Sequence, residues 1–308
     1  MLSIQSIDKS YGPQILFEDA TLQLSPGERL GLVGRNGHGK STLFRLILGE
    51  EEVDAGLITT PRNYRIGHLA QHLHFTKPTI LEEVCLGLLP DEEHDHYKAE
   101  RILFGLGFND DDMSKPPAQF SGGFQVRLNL AKVLVSNPNL LLLDEPTNYL
   151  DIISIRWLTK FLRGWENELI IISHDRQFMD SVTTHTALIH RKKIRRVEGN
   201  TAKLYNLVAQ EEETYEKTRQ NEEKQRKHAQ AFIDRFRAQA GRAAMVQSRV
   251  KRLEKMPELE ALSRIQDLDF EFHYAPITAK TLMDIKDLSF SYTPEIPLIP
   301  KFDLMIQP

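Results

Sequence analysis

One cysteine, Cys85, stands in 308 residues, so no disulfide can form within the chain and a reducing compartment fits that usage. Long apolar runs are missing too. No stretch approaches the ~20 consecutive apolar residues that a membrane-spanning helix needs, so a transport role would require a separate membrane partner. Residues 1–11 alternate apolar and polar side chains and lack the apolar block of a signal peptide. A cytoplasmic location is expected. Neither charge dominates: 39 Lys and Arg against 43 Asp and Glu leave a net −4, which confines any nucleic-acid contact to a local patch. Histidines gather at His68, His72, His74, His94 and His96, but no thiolate joins them and their spacing fits no zinc pattern. No metal site is expected on their account. A hydrophobic fraction of 41% suffices for a core, and the length allows about two domains.

The most specific feature present runs from Gly34 to Thr42. Gly34, Arg35, Asn36, Gly37, His38, Gly39, Lys40, Ser41 and Thr42 match G-x-x-x-x-G-K-[ST] without substitution, between an apolar strand-like run at 30–33 and a helix-like run at 43–48. Glycines let the backbone wrap a polyphosphate, and the helix N-terminus attracts its charge. Lys40 neutralises the outer phosphates and Ser41 is placed to hold Mg²⁺. A nucleoside triphosphate is the implied ligand.

Strand-like alternation surrounds this loop at 4–8, 21–24, 57–60 and 65–70. An amphipathic helical pattern spans 79–107 with a break at Pro90, a loop follows at 109–117, and Ser121 heads a helix to about Val135. The leucines at 140–143, and the run 170–173, read as strands buried on both faces. Strands alternating with helices predict an α/β sheet with its chemistry at the carboxyl ends of the strands, where Gly34, Asp144 and His174 fall.

Asp144 is suited to coordinate Mg²⁺ through water, and Glu145 to polarise an attacking water. His174 can reach the γ-phosphate region, although a core histidine would also fit that position. Gln71 has the chemistry to sense metal or water, and an ordinary loop residue is the alternative; Tyr11 has the ring to stack on adenine, and an edge aromatic is the alternative. Ser121, Gly122 and Gly123 open a helix and form a second anion site.

Composition changes after Gly199-Asn200: residues 203–265 hold one glycine, Gly241, and one proline, Pro257, which reads as a helical hairpin turning near Gly241. Within it Arg235, Arg237, Arg242, Arg249, Lys251, Arg252 and Lys255 face only Glu254, a basic tip suited to RNA phosphates or to a solvated structural face. The chain also repeats itself. Ile285, Leu288 and Tyr292 match Ile4, Ile7 and Tyr11 at an offset of 281, and with one insertion Leu304 and Ile306 match Leu22 and Leu24. A second copy of the first domain is expected to begin here, ending before the position of its phosphate loop.

Taken together, the phosphate loop, Gln71, Ser-Gly-Gly, the leucine strand into Asp144-Glu145-Pro146-Thr147-Asn148, and His174 resemble the ATP-binding cassette superfamily. The stretch 145–151 and the helical linker are similar to the ABC-F family of soluble, translation-associated tandem ATPases. The resemblance implies an α/β P-loop NTPase cassette at 1–200, a helical hairpin linker at 201–266 and the opening strands of a second cassette at 267–308. It implies ATP and Mg²⁺ as cofactors, with Lys40, Ser41 and Thr42 in Walker A, Asp144 and Glu145 in Walker B, and Ser121 to Gly123 as the signature. Asp151 becomes the D-loop acid, His174 the switch and Tyr11 the adenine platform. Glu145, His174 and Gln71 are then the catalytic set, with Ser41, Gln71 and Asp144 around the metal. ATP hydrolysis would drive a two-cassette clamp on the ribosome, against rRNA and tRNA, at a composite site incomplete in this chain. A transporter's ATP-binding subunit and a DNA-associated ATPase are the rival readings. Phe124 replaces the signature glutamine and Tyr149 the D-loop histidine, and only 49 residues separate Gln71 from Ser121, too few for a long arm.

Overall fold

The computed structural model describes residues 1–69, 75–236, 280–292 and 297–307, together with positions 245, 247, 248, 250 and 251. Contacts divide the chain into Met1–Lys255 and Met256–Pro308.

The first unit holds two sheets. Strands β1 (Leu2–Tyr11), β2 (Gln14–Leu24) and β4 (Ala55–Thr59) form an antiparallel sheet in the order β2-β1-β4. The other sheet contains β3 (Arg29–Val33), β5 (Ile66–His68), β6 (Leu140–Asp144), β7 (Glu168–Ile172), β8 (His185–His190) and β9 (Lys193–Glu198). Its order is β5-β6-β7-β3-β8-β9, parallel throughout except for the antiparallel edge β9.

The leucine strand is buried on both faces as its sequence requires. Leu140 and Leu142, with Ile170 and Ile172, join the core shared with β1, β2 and helix α1 (Lys40–Leu48). Leu141 and Leu143, with Leu169 and Ile171, join the core built by the helices on the opposite side. Those helices are α2 (Ile80–Cys85), α3 (His96–Gly105), α4 (Gly122–Val135), α5 (Ile152–Arg163) and α6 (Arg176–Val182). The helical pattern expected over 79–107 is thus two helices with a 3₁₀ turn at Pro90–Glu92 between them. Thr79, Asp151 and Asp175 each accept a backbone N–H at the start of the helix that follows, which is why α2, α5 and α6 begin where they do.

Helix α7 (Thr201–Phe236) starts on the first unit's core: Leu204 and Val208 pack against Val33, Met179 and Leu188, and Thr201 bonds Asp180 through its N–H and hydroxyl at 2.9 Å. Farther along, its surface is laced by i,i+3 and i,i+4 pairs, Lys217 with Glu213, Arg219 with Glu216 and Glu223, and Lys227 with Glu223. The turn proposed near Gly241 lies outside the described residues, as do Arg237, Arg242, Arg249, Arg252 and Lys255.

In the second unit β10 (Met283–Phe290) pairs antiparallel with β11 (Ile299–Ile306). The repeat seen in the sequence extends to the pairing. Ile4 faces Leu22 and Ile285 faces Leu304; Leu2 faces Leu24 and Met283 faces Ile306. Each first strand has a register shift after the isoleucine and a left-handed residue within it, Ser6 with φ 46° and Asp287 with φ 52°. Even the side chain that accepts the N–H freed at that bulge recurs, Thr21 for Ser6 and Asp303 for Asp287.

Candidate functional site

Strand β3 ends at Val33 and the chain turns through the glycine-rich loop into α1. Gly37 and Gly39 have φ of 79° and 93°, a region that side chains resist, and Gly39 also meets the Phe17 ring where a Cβ would stand. Lys40 at the helix start donates to the carbonyls of Gly34 at 2.7 Å and Arg35 at 3.2 Å. Burial pulls its pKa down, while the nearby carboxylates of Asp144 and Glu145 work in the other direction.

Beyond the loop opens a cavity of about 430 Å³ lined by Tyr11, Asn36, Gly37, Gly39, Lys40, Ser41, Thr42, Asp144, Glu145 and His174, among others. Three strand ends of the mainly parallel sheet, those of β3, β6 and β7, deliver all of these groups except Tyr11, which comes from the end of β1. The Ser41 hydroxyl donates to the Asp144 carboxylate at 3.2 Å, so a hydroxyl and a carboxylate already converge at the helix start. A pair of hard oxygen donors beside a phosphate-type loop is the chemistry that Mg²⁺ selects.

Glu145 has a left-handed backbone, φ 49°, and its N–H donates to Ile172 O at 2.8 Å, which fixes its direction at the strand end. One carboxylate oxygen accepts the His174 N–H at 3.3 Å; the other is buried without a hydrogen-bond partner. The His174 ring approaches that second oxygen at 3.6 Å and is largely exposed, so the core-histidine alternative does not hold. Tyr11 lines the cavity, with its hydroxyl donated to Glu51. Gln71 lies outside the described residues.

Ser121, Gly122 and Gly123 head α4 but do not line this cavity, and the Ser121 side chain makes no cap bond. Phe124, standing where glutamine was expected, packs edge-on against Phe108 at 5.3 Å and beside Phe120, while the neighbouring Gln125 amide donates to Phe120 O. The segment is held by aromatic packing at Phe124 together with the Gln125 amide one position on.

Sequence reasoning passed over Arg127. This buried guanidinium in α4 donates to Tyr149 O at 2.9 Å, Leu106 O at 3.1 Å and Asp151 at 3.0 Å, and lies over the Phe124 ring. It ties the Ser-Gly-Gly helix to the loop following Glu145. The Ser154 N–H, foremost, and Arg127 hold the Asp151 carboxyl below its usual range. An arginine on the apolar face of a helix was the available signal.

A family model described as ABC transporter matches residues 17–148, and an extension model of the same description matches 187–272. "Probable ATP-binding protein YheS" of Escherichia coli K12 is 32% identical over 97% of this chain and 52% of its own length. The human "ATP-binding cassette sub-family F member 3" is 31% identical over 95% of this chain and 46% of its own. The chain belongs to the ABC-F family. It spans about half the length of these ABC-F relatives. Among solved structures, an ATP-binding subunit of an ABC transporter shares the fold at TM-score 0.57 and 20% identity, covering 68% of this chain and 93% of that one. A post-hydrolysis dimer of the cassette MJ0796 bound to ADP and Pi shares it at TM-score 0.54 and 22% identity, covering 64% and 98%. No helix among the described residues is long and apolar enough to cross a membrane.

Proposed function

We propose that this ABC-F chain binds ATP with Mg²⁺ and hydrolyses it, and that the resulting conformational cycle acts on the ribosome in the cytoplasm. The observation that carries the nucleotide reading is the meeting of Lys40, Ser41, Asp144, Glu145 and His174 around one cavity at three strand ends. In this reading the loop from Gly34 to Thr42 and Lys40 hold the phosphates. Ser41 and Asp144 would hold Mg²⁺, with Gln71 as a further candidate, and the ion supplies neutralisation of phosphate charge when bound. Glu145 orients and deprotonates the attacking water with its unpartnered oxygen, and His174 stands beside it to contact the outermost phosphate. Ser121 to Gly123, outside the cavity, serve a nucleotide on a facing cassette. The three-part division at 200 and 266 remains part of the proposal.

The ribosome reading rests on family membership and on the basic run from Arg235 to Lys255. Equilibrium titration with a fluorescent ATP analogue tests the first half: Lys40→Ala should weaken binding at least tenfold, about 1.4 kcal/mol. Unchanged affinity removes the phosphate-loop assignment. Sedimentation with ribosomes across a salt series tests the second. Replacing Arg242, Arg249 and Arg252 with Ala should weaken association and flatten the log–log salt slope by roughly one to three units. An unaltered slope, or a preference for duplex DNA competitor, overturns the ribosome reading.

A further inference from the structure

Tyr11 ends β1 at the rim of the cavity, and its ring is not left to find its own orientation. The hydroxyl donates to Oε2 of Glu51, a residue in the segment after α1 that does not itself line the cavity. The other Glu51 oxygen takes Arg45 of α1 at 2.8 Å, and Lys9 approaches the carboxylate at 3.8 Å. Lys9 also places its ammonium 5.2 Å from the Tyr11 ring centroid and donates to Glu52 O at 2.7 Å. The ring is therefore fixed at its tip by a carboxylate and on one face by a cation, which leaves one face for a flat ligand. Arg45 reaches on to the Thr42 hydroxyl only at 3.5 Å, a long contact. Thr42 also faces the Tyr11 hydroxyl and Arg45 lines the cavity, so the clamp on Tyr11 and the grip on phosphate are told apart by comparing a ligand that carries a base with one that does not.

We propose that Glu51 is a positioning residue for the base of the bound nucleotide: it holds the Tyr11 ring for stacking and so sets how much the base, as distinct from the phosphates, contributes to affinity. This rests on the nucleotide reading above. Stacking uses a π-face that every base has, so the contribution belongs to the base as a flat ring. A carboxylate anchored by two cations keeps the hydroxyl in one place, whereas without it the tyrosine, 42% exposed, swings between rotamers.

Competition titrations with ATP and with inorganic tripolyphosphate test this, using the 308-residue chain. Tripolyphosphate reports on the phosphate loop, and the ratio of the two affinities reports on the clamp. Wild type should prefer ATP by roughly tenfold or more. Glu51→Ala should lose most of that preference while its tripolyphosphate affinity stays within about twofold, and Glu51→Gln, which can still accept from the hydroxyl, should keep much of it. Tyr11→Ala combined with Glu51→Ala should be no worse for ATP than Tyr11→Ala alone, because the carboxylate acts through the ring. Equal weakening of both ligands by Glu51→Ala, or an unchanged ratio, overturns the proposal and leaves the phosphate loop standing. A wild-type chain that binds neither ligand overturns both readings.

Discussion

Asp144 and Glu145 are neighbours with the same functional group in different surroundings. Asp144 accepts the Ser41 hydroxyl at 3.2 Å, whereas Glu145 turns through φ 49° and keeps one buried oxygen without a hydrogen-bond partner. Such a left-handed backbone costs about 1–2 kcal/mol for a residue with a side chain, and the N–H bond to Ile172 O holds it there. Turnover is where this arrangement matters. In a hydrolytically competent assembly, Glu145→Gln should lower single-turnover hydrolysis by at least about a hundredfold, with ATP affinity changed less than about threefold. Wild-type hydrolysis, or lost binding in a folded variant, removes the role.

At the scale of elements, the segment after Gln71 is tied to the Ser-Gly-Gly helix through one carboxylate. Glu83 of α2 is fully buried; it accepts the N–H groups of Thr76 and Lys77 at 2.8 Å and the Lys132 ammonium of α4 at 2.5 Å. Burial pushes its pKa up, but these bonds outweigh burial and leave it below its ordinary 4.5. A carboxylate with a lowered folded pKa stabilises fully above the unfolded value, and that contribution is lost as pH falls through the folded one. Thermal midpoints should therefore drop as pH goes below about 4.5 in wild type, with a smaller drop in Glu83→Gln. At neutral pH, Glu83→Ala should cost about 2–4 kcal/mol by leaving Lys132 and two N–H groups unpaired. Equal acid sensitivity in wild type and Glu83→Gln assigns the effect elsewhere.

The same scale explains which elements were legible. Strands β6 and β7 announce themselves because burial on both faces demands unbroken apolar runs. The β8–β9 hairpin does not. Its two-residue turn uses Arg191 and Lys192 at φ 50° and 64°, in place of the Asn-Gly or Asp-Gly that normally marks such a turn. Those residues are held by distant acids, Arg191 by Glu212 and Lys192 by Glu18, and no local pattern encodes such partners. The site divides similarly. The phosphate loop, Asp144 and Glu145 are contiguous motifs and could be read directly. Arg127 and Glu51 bond residues 21 to 40 positions away, visible only once the fold brings them together.

Across the whole molecule, the sequence contains one phosphate-loop motif and one Ser-Gly-Gly segment, and that segment does not line the cavity around Lys40. If a facing cassette completes each site, hydrolysis by the 308-residue chain on its own requires two copies to meet head to tail. Specific activity of the 308-residue chain should then rise with concentration over a hundredfold dilution series, alongside a mass increase by light scattering. Concentration-independent turnover by a monomer contradicts the shared site. The helical side carries its own gauge of packing. Both tryptophans of the chain belong to one ladder of rings, Trp157 stacked on Phe161 at 5.0 Å and Phe161 beside Trp165 at 5.9 Å. Trp157 lies so close over Gly105 of α3 that a methyl group there would stand 1.9 Å from the indole. Neither indole lines the phosphate cavity. Emission from Trp157 therefore reports on the fit of α5 against α3, and ATP bound in the cavity around Lys40 would reach that indole only through the intervening protein.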